Sequence, residues 1–142
     1  MPSTCPRVHM VNGIQYVYDT EREKFLSVAK LYLRAGIRFP SVSNRMMRLE
    51  DGQPTSSVGD LLLRDATITG VTANCESAAD WYLRIYQRGV PAEIMSLHIN
   101  SALEASDLAL NVDVSAGDIL LFKVDGVGIP YPRALLELAW RL

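Results

Sequence analysis

Residues 107–142 most constrain what this chain can become, because apolar and polar residues there alternate with a period of two. Leu108, Leu110, Val112 and Val114 alternate with Asp107, Ala109, Asn111 and Asp113, which predicts a strand with one face in a core and one in water. Ser115-Ala116-Gly117-Asp118 turns the chain, Ile119-Leu120-Leu121-Phe122-Lys123-Val124 runs back, and Asp125-Gly126 ends that strand. From Arg133 the alternation resumes. Ala134, Leu136, Leu138, Trp140 and Leu142 fall on one side, and Arg133, Leu135, Glu137, Ala139 and Arg141 on the other. A helix is the alternative here, since Pro132 and the run Ala134-Leu135-Leu136-Glu137-Leu138-Ala139 favour one intrinsically. Those preferences amount to tenths of a kcal/mol per residue, whereas burying four large apolar side chains contributes roughly 1.5–3 kcal/mol each. Packing therefore decides, and it predicts a strand. Ribbons with one oily face need a facing layer, so an antiparallel β-sandwich is expected.

The upstream chain carries the same signals. Val8–Val11 and Ile14–Tyr18 flank Asn12-Gly13, a strong hairpin signature. Residues 25–33 suit two periods. A helix capped at Asp19 or Thr20 would align Phe25, Val28, Ala29 and Tyr32, whereas a strand would align Phe25, Ser27, Ala29, Leu31 and Leu33. The neighbouring hairpins favour the strand. Residues 35–57 form a long loop region around a short strand at Arg45–Leu49, and loops of that length commonly bind or wrap something. Strands follow at Val58–Leu63, Ala66–Ala73, Trp81–Gln87 and Glu93–Ile99, with Asn74-Cys75-Glu76-Ser77 and Arg88-Gly89 as turns. Spacings near ten residues with turns between them indicate a sandwich or barrel.

At 142 residues the chain fits about one domain, since domains hold on the order of 100–150 residues. Its net charge of −2 makes no electrostatic case for duplex nucleic acid or an anionic membrane. No apolar run approaches the roughly 20 residues of a membrane helix, and Met1–Pro6 lacks the basic start and apolar core of a signal peptide. Synthesis in a cytoplasm is expected. Cys5 and Cys75 have neither metal nor redox spacing, and two free thiols are the expected state, with a disulfide as the alternative.

Enzymatic chemistry finds no foothold. His9 and His98 have no ligand residue at i+2 or i+4, and the His and Glu cluster of a metal-binding cupin is absent. Gly126-Val127-Gly128 lacks the third glycine and helix of a nucleotide fingerprint, and no serine sits in Gly-x-Ser-x-Gly. Asp51, Asp60, Asp65 and Asp80 lack the spacing of a calcium loop. No catalysis, cofactor or metal is expected. Two surfaces stand out instead. Tyr82, Arg84 and Tyr86 point outward beside inward Trp81, Leu83 and Ile85, and such side chains suit sugar rings or a protein partner. Cross-strand packing on an exposed sheet face, or burial under the 35–57 loop, is the favoured explanation of them. On the terminal strand, Leu135, Glu137, Ala139 and Arg141 mix apolar residues with opposite charges, as a subunit contact does.

Several stretches resemble the trimeric tip, spike and decoration domains of tailed-phage fibres and head fibres, whose jelly roll is related to the C1q and tumour-necrosis-factor sandwiches. They are Tyr16-Val17-Tyr18-Asp19-Thr20-x-Arg22-x-Lys24-Phe25-Leu26-Ser27, then Asp60 to Val71, then Leu83 to Gly89, then Leu110 to Leu120 and the closing strand. Their order matches over most of residues 14–142. The resemblance implies a homotrimeric jelly roll in a virion, attached to a capsid or tail protein, with a host-surface glycan as a further partner and no invariant catalytic or ligand residues. It sets residues 1–35 apart as an attachment or interlocking segment and 36–142 as the jelly-roll domain. The long 35–57 insertion and the lack of a stalk depart from the family pattern and imply a position directly on the particle. A cellular carbohydrate- or protein-binding β-sandwich module is the alternative, and a cupin-type enzyme without its metal residues a third.

Overall fold

A computed structural model describes residues 8–49, 52 and 60–142 of the chain. Eleven strands run in chain order: β1 (Val8–Val11), β2 (Ile14–Asp19), β3 (Lys24–Gly36), β4 (Arg45–Met46), β5 (Arg48–Leu49), β6 (Asp60–Leu61), β7 (Ala66–Gln87), β8 (Met95–Asp107), β9 (Val112–Val114), β10 (Ile119–Asp125) and β11 (Arg133–Arg141). Every pairing is antiparallel, and the described residues contain no helix.

The ladder is continuous but curls into two layers, because β7 and β8 each serve both. The first sheet runs β3, β11, the first half of β7, then the end of β8 with β9. The second runs β4, β10, the second half of β7, then the start of β8. Two four-stranded sheets in this order make a jelly roll. Between the sheets lie Ile68, Leu83, Ile85, Leu120, Phe122, Leu136 and Leu138, each without exposed surface. Trp81 joins them, and its Nε1 is the one buried side-chain nitrogen or oxygen without a partner among the described residues. Such an orphan donor costs about 1–3 kcal/mol.

The strands at residues 24–36 and 133–141 match the period-two reading, as does the first hairpin. Asn12 and Gly13 both have positive φ (50° and 78°), as a type I′ turn requires. Several expectations are corrected. Ala66–Ala73 and Trp81–Gln87 are one strand, not two joined by a turn at 74–77. Register shifts between Asn74 and Trp81 bend it from one layer into the other while its pairing with β8 persists. The alternation at 108–111 is also not realised as strand. The Asp107 carboxylate accepts the Ala109 N–H at 2.9 Å, which turns the chain, and Leu108 is 70% exposed. Leu142 likewise falls outside the core, at 54% exposure. The short strand at 45–49 splits around buried Met47, so that β4 joins the second sheet and β5 the first.

The expected boundary at 35/36 falls near the end of β3, which belongs to the sandwich through its pairing with β11. Cys5, Asp51 and Val58 lie outside the described residues. The buried Cys75 thiol donates to the Ser77 carbonyl at 3.1 Å.

Candidate functional site

Tyr82, Arg84 and Tyr86 project from the outer face of the second sheet, all half-buried or more exposed. Register places Tyr82 between Asp125 of β10 and His98 of β8. The Tyr82 and His98 rings stack with centroids 4.3 Å apart and planes within 8°. His98 Nε2 lies 2.6 Å from Asp80 Oδ1, which holds the imidazole on the tyrosine. The Arg84 guanidinium sits 4.7 Å from the Tyr82 ring centroid. Its Nη1 donates to Glu93 Oε2 and its Nε to Asp125 Oδ2, each at 2.6 Å. These two hydrogen bonds, Glu93 first, push the Arg84 pKa further up. The outward stripe is thus one interlocked ladder whose charges are largely met within the chain. What it offers a ligand is the flat Tyr82–His98 surface.

The outer face of β11 is used differently along its length. Glu137 Oε1 accepts from Thr69 Oγ1 at 2.8 Å, and its Oε2 accepts from the Tyr32 hydroxyl at 3.2 Å. The Glu137 hydrogen bond raises the Tyr32 pKa. Ala139 has no exposed surface within the single chain, and neither has Thr67 beside it. Arg141 Nη1 donates to the carbonyls of Ala66 and Val114 and lies 3.4 Å from Asp113.

A cover explains this burial. Lys24 Nζ reaches Asp113 Oδ1 at 2.8 Å, although β3 and β9 are three strands apart, roughly 14 Å in a flat sheet. Arg22 donates to the carbonyls of Leu110, Leu108 and Thr69 at 2.6, 3.1 and 3.2 Å. The β2–β3 turn therefore folds across the outside of the first sheet. Of the four residues expected to form a subunit contact, Ala139 is buried, Glu137 and Arg141 are hydrogen-bonded inside the chain while half-exposed, and Leu135 is half-exposed.

Beside them β3 has a gap in its ladder. Its outer edge pairs with β2 over residues 24–27 and with β5 over residues 35–36. Among the described residues no strand pairs with that edge over 28–33. On the hairpin, Val8 and Val17 are direct partners and Met10 lies two residues on, so the three share a face. They are 40%, 37% and 66% exposed. An unpaired edge and an exposed apolar row both invite another chain.

Sequence reading passed over a third place. A cleft of about 640 Å³ opens where β3, β5 and β11 meet, lined by Arg38, Phe39, Arg48, Tyr131 and Arg133 around Gly36. These residues come from three separate stretches, so no local spacing announces them. The long loop region at 35–57 was the only signal near it. Among the described residues, no three His, Cys, Asp or Glu side chains gather to hold a metal.

No family model matches the chain, and no curated protein matches it. Among solved structures it is similar to the nucleoplasmin-like N-terminal domain of Drosophila FKBP39, at 12% identity and TM-score 0.44, over 81% of this chain and 93% of that one. It is also similar to FLHE, at 10% identity and TM-score 0.42, over 81% of this chain and 100% of that one. A third likeness is to a CBM4 structure, at 9% identity and TM-score 0.33, over 96% of this chain and 78% of that one. With every TM-score below 0.5, no role of these proteins passes to this chain.

Proposed function

We propose that the chain is a non-catalytic virion structural protein of the phage spike, head-fibre or decoration type. It assembles as a homotrimer on a capsid or tail protein and contacts a host-surface glycan. The observation that supports this reading is the apolar row Val8, Met10 and Val17 beside the β3 edge at 28–33, which no strand among the described residues pairs. Burying such a row in a closed assembly removes both the apolar exposure and the open edge. Three copies on one support multiply a weak glycan contact into avidity. The hairpin end of the N-terminal segment is the part that interlocks subunits in this reading.

Light scattering at about 10 μM chain tests it. A mass near three times 15.8 kDa supports assembly, and Met10→Asp is expected to lower that mass with the strand signal in circular dichroism unchanged. A wild-type monomer at that concentration refutes it. Electron microscopy of particles produced with the chain tests the virion placement.

A further inference from the structure

β3 ends between two partners, with Gly36 facing Arg48 of β5 on one side and Arg133 of β11 on the other. Directly paired residues project to the same face of a sheet. An arginine stem thus stands on each side of a residue with no side chain. A Cβ on Gly36 would meet the Pro132 carbonyl at 3.1 Å and Arg133 Cγ at 3.5 Å, so glycine keeps the floor open. Arg38 lines the same cleft.

The rim is aromatic and held in place. Phe39 and Tyr131 are 46% and 41% exposed. The Tyr131 N–H donates to the Phe39 carbonyl at 2.8 Å, and the Ile37 N–H to the Pro132 carbonyl at 3.0 Å. Tyr131 adopts φ of 47°, a left-handed conformation that is disfavoured for a residue with a Cβ and that clusters at ligand clamps. Arg45 lies 5.6 Å from the Phe39 ring centroid.

Outside the cleft, three arginines have carboxylate partners. Arg22 has Asp19, Arg84 has Glu93 and Asp125, and Arg141 has Asp113. In the cleft, Arg38 and Arg133 have none among the described residues, and Arg48 donates to the Gly52 carbonyl at 3.0 Å. Three cations in one cleft without a described counter-charge mark a place for an anion. Guanidinium forks match a carboxylate in two-point geometry, and exposed aromatic rings stack on the apolar face of a sugar. The volume falls within the roughly 300–1,000 Å³ usual for small-ligand sites. A polynucleotide would need a basic track beyond the cleft, and the net charge of −2 speaks against one.

We infer that this cleft binds a carboxylated sugar, its acid group held between Arg38, Arg48 and Arg133 and its ring against Phe39 and Tyr131. The inference deepens the glycan part of the reading above and does not depend on the assembly part.

Calorimetry and saturation-transfer NMR on the full chain, in low salt, test it with 3′-sialyllactose and trigalacturonate. Lactose, maltotriose, inorganic phosphate and adenosine triphosphate serve as comparators. The acid sugars are expected to bind at least about tenfold tighter than the neutral ones, and to weaken with added salt. Arg38→Gln and Arg133→Gln should each weaken binding about tenfold, Phe39→Ala should remove the ring contacts in NMR, and exposed Arg64→Gln should change nothing. Equal binding of lactose and sialyllactose, or arginine variants that bind as wild type, overturns the inference. So does phosphate or nucleotide binding tighter than the acid sugars. Binding seen only in a Glu50→Gln, Asp51→Asn variant also overturns it, because the chain's own acids would then occupy the cleft. Light scattering on the same samples keeps the two proposals apart: a monomer that binds refutes assembly alone, and a trimer that does not bind refutes this site alone.

Discussion

Replacing Arg22 by alanine should loosen the N-terminal hairpin before it disturbs the sandwich. The Arg22 guanidinium makes three hydrogen bonds to carbonyls, of Leu110, Leu108 and Thr69, and one to Asp19 Oδ2 at 2.7 Å. A buried hydrogen bond to a charged donor contributes about 1.5–3 kcal/mol. Leu108 is 70% exposed, so water replaces part of what is lost at the loop carbonyls, and the whole change comes to about 2–3 kcal/mol. At about 2.1 cal/mol/K per residue, 142 residues give an unfolding entropy near 0.3 kcal/mol/K, so Tm should fall by about 7–10 °C. Calorimetry at fixed protein concentration measures this, since any self-association shifts Tm by mass action. Hydrogen exchange locates it: the amides pairing β2 with β3, Tyr16–Ser27 to Asp19–Lys24, should lose protection while those of β10 and β11 keep theirs. Arg22→Lys retains charge but loses the fork, and should recover a minor part of the loss. A change below about 0.5 kcal/mol with hairpin protection intact would show that the turn is held down by something other than Arg22.

Two further predictions concern the same frame. Burial pushes the Asp113 carboxyl up, but hydrogen bonds from Lys24 and Thr67 and the charges of Arg141 and Lys24 outweigh it, leaving its pKa below 3.8. A carboxyl lowered on folding adds stability that is fully present above the unfolded pKa and lost as pH falls through the folded one. The stability gap between wild type and Asp113→Asn should thus be constant above about pH 5 and shrink below 3.8, as urea titrations at several pH values measure; a gap unchanged down to about pH 2 sinks the ion-pair account. In the core, Phe122→Ala should cost about 3–5 kcal/mol, because the side chain has no exposed surface. A cost under about 1 kcal/mol in urea denaturation would mean that the two layers close over the gap.

Strand identity was legible where apolar residues kept a period of two, whatever the distance to the partner strand. β1, β2, β10 and β11 read correctly for that reason, and a buried stripe outweighed the helix preference of residues 134–139. Asn12-Gly13 announced its own turn, because only residues that tolerate positive φ fit there. The outward placing of Tyr82, Arg84 and Tyr86 followed from the same alternation. The sequence alone thus determined an all-β chain, the core-facing sets Trp81, Leu83, Ile85 and Ala134, Leu136, Leu138, and one of its exposed rows.

Tertiary structure decided what depends on residues distant in sequence. The letters at 74–77 read as a turn, but continuous pairing to β8 makes them a bend inside β7. The run at 108–110 looked like strand until the Asp107 side chain captured the Ala109 N–H. Ala139 looked available to a partner, yet the chain's own turn lies over that face, fastened by Arg22 and Lys24. The arginine cleft joins positions 38, 48 and 133, which only the β5–β3–β11 register brings together. Periodicity describes which face a residue takes relative to its near neighbours. It carries no information about which distant strand, or which turn, ends up against that face.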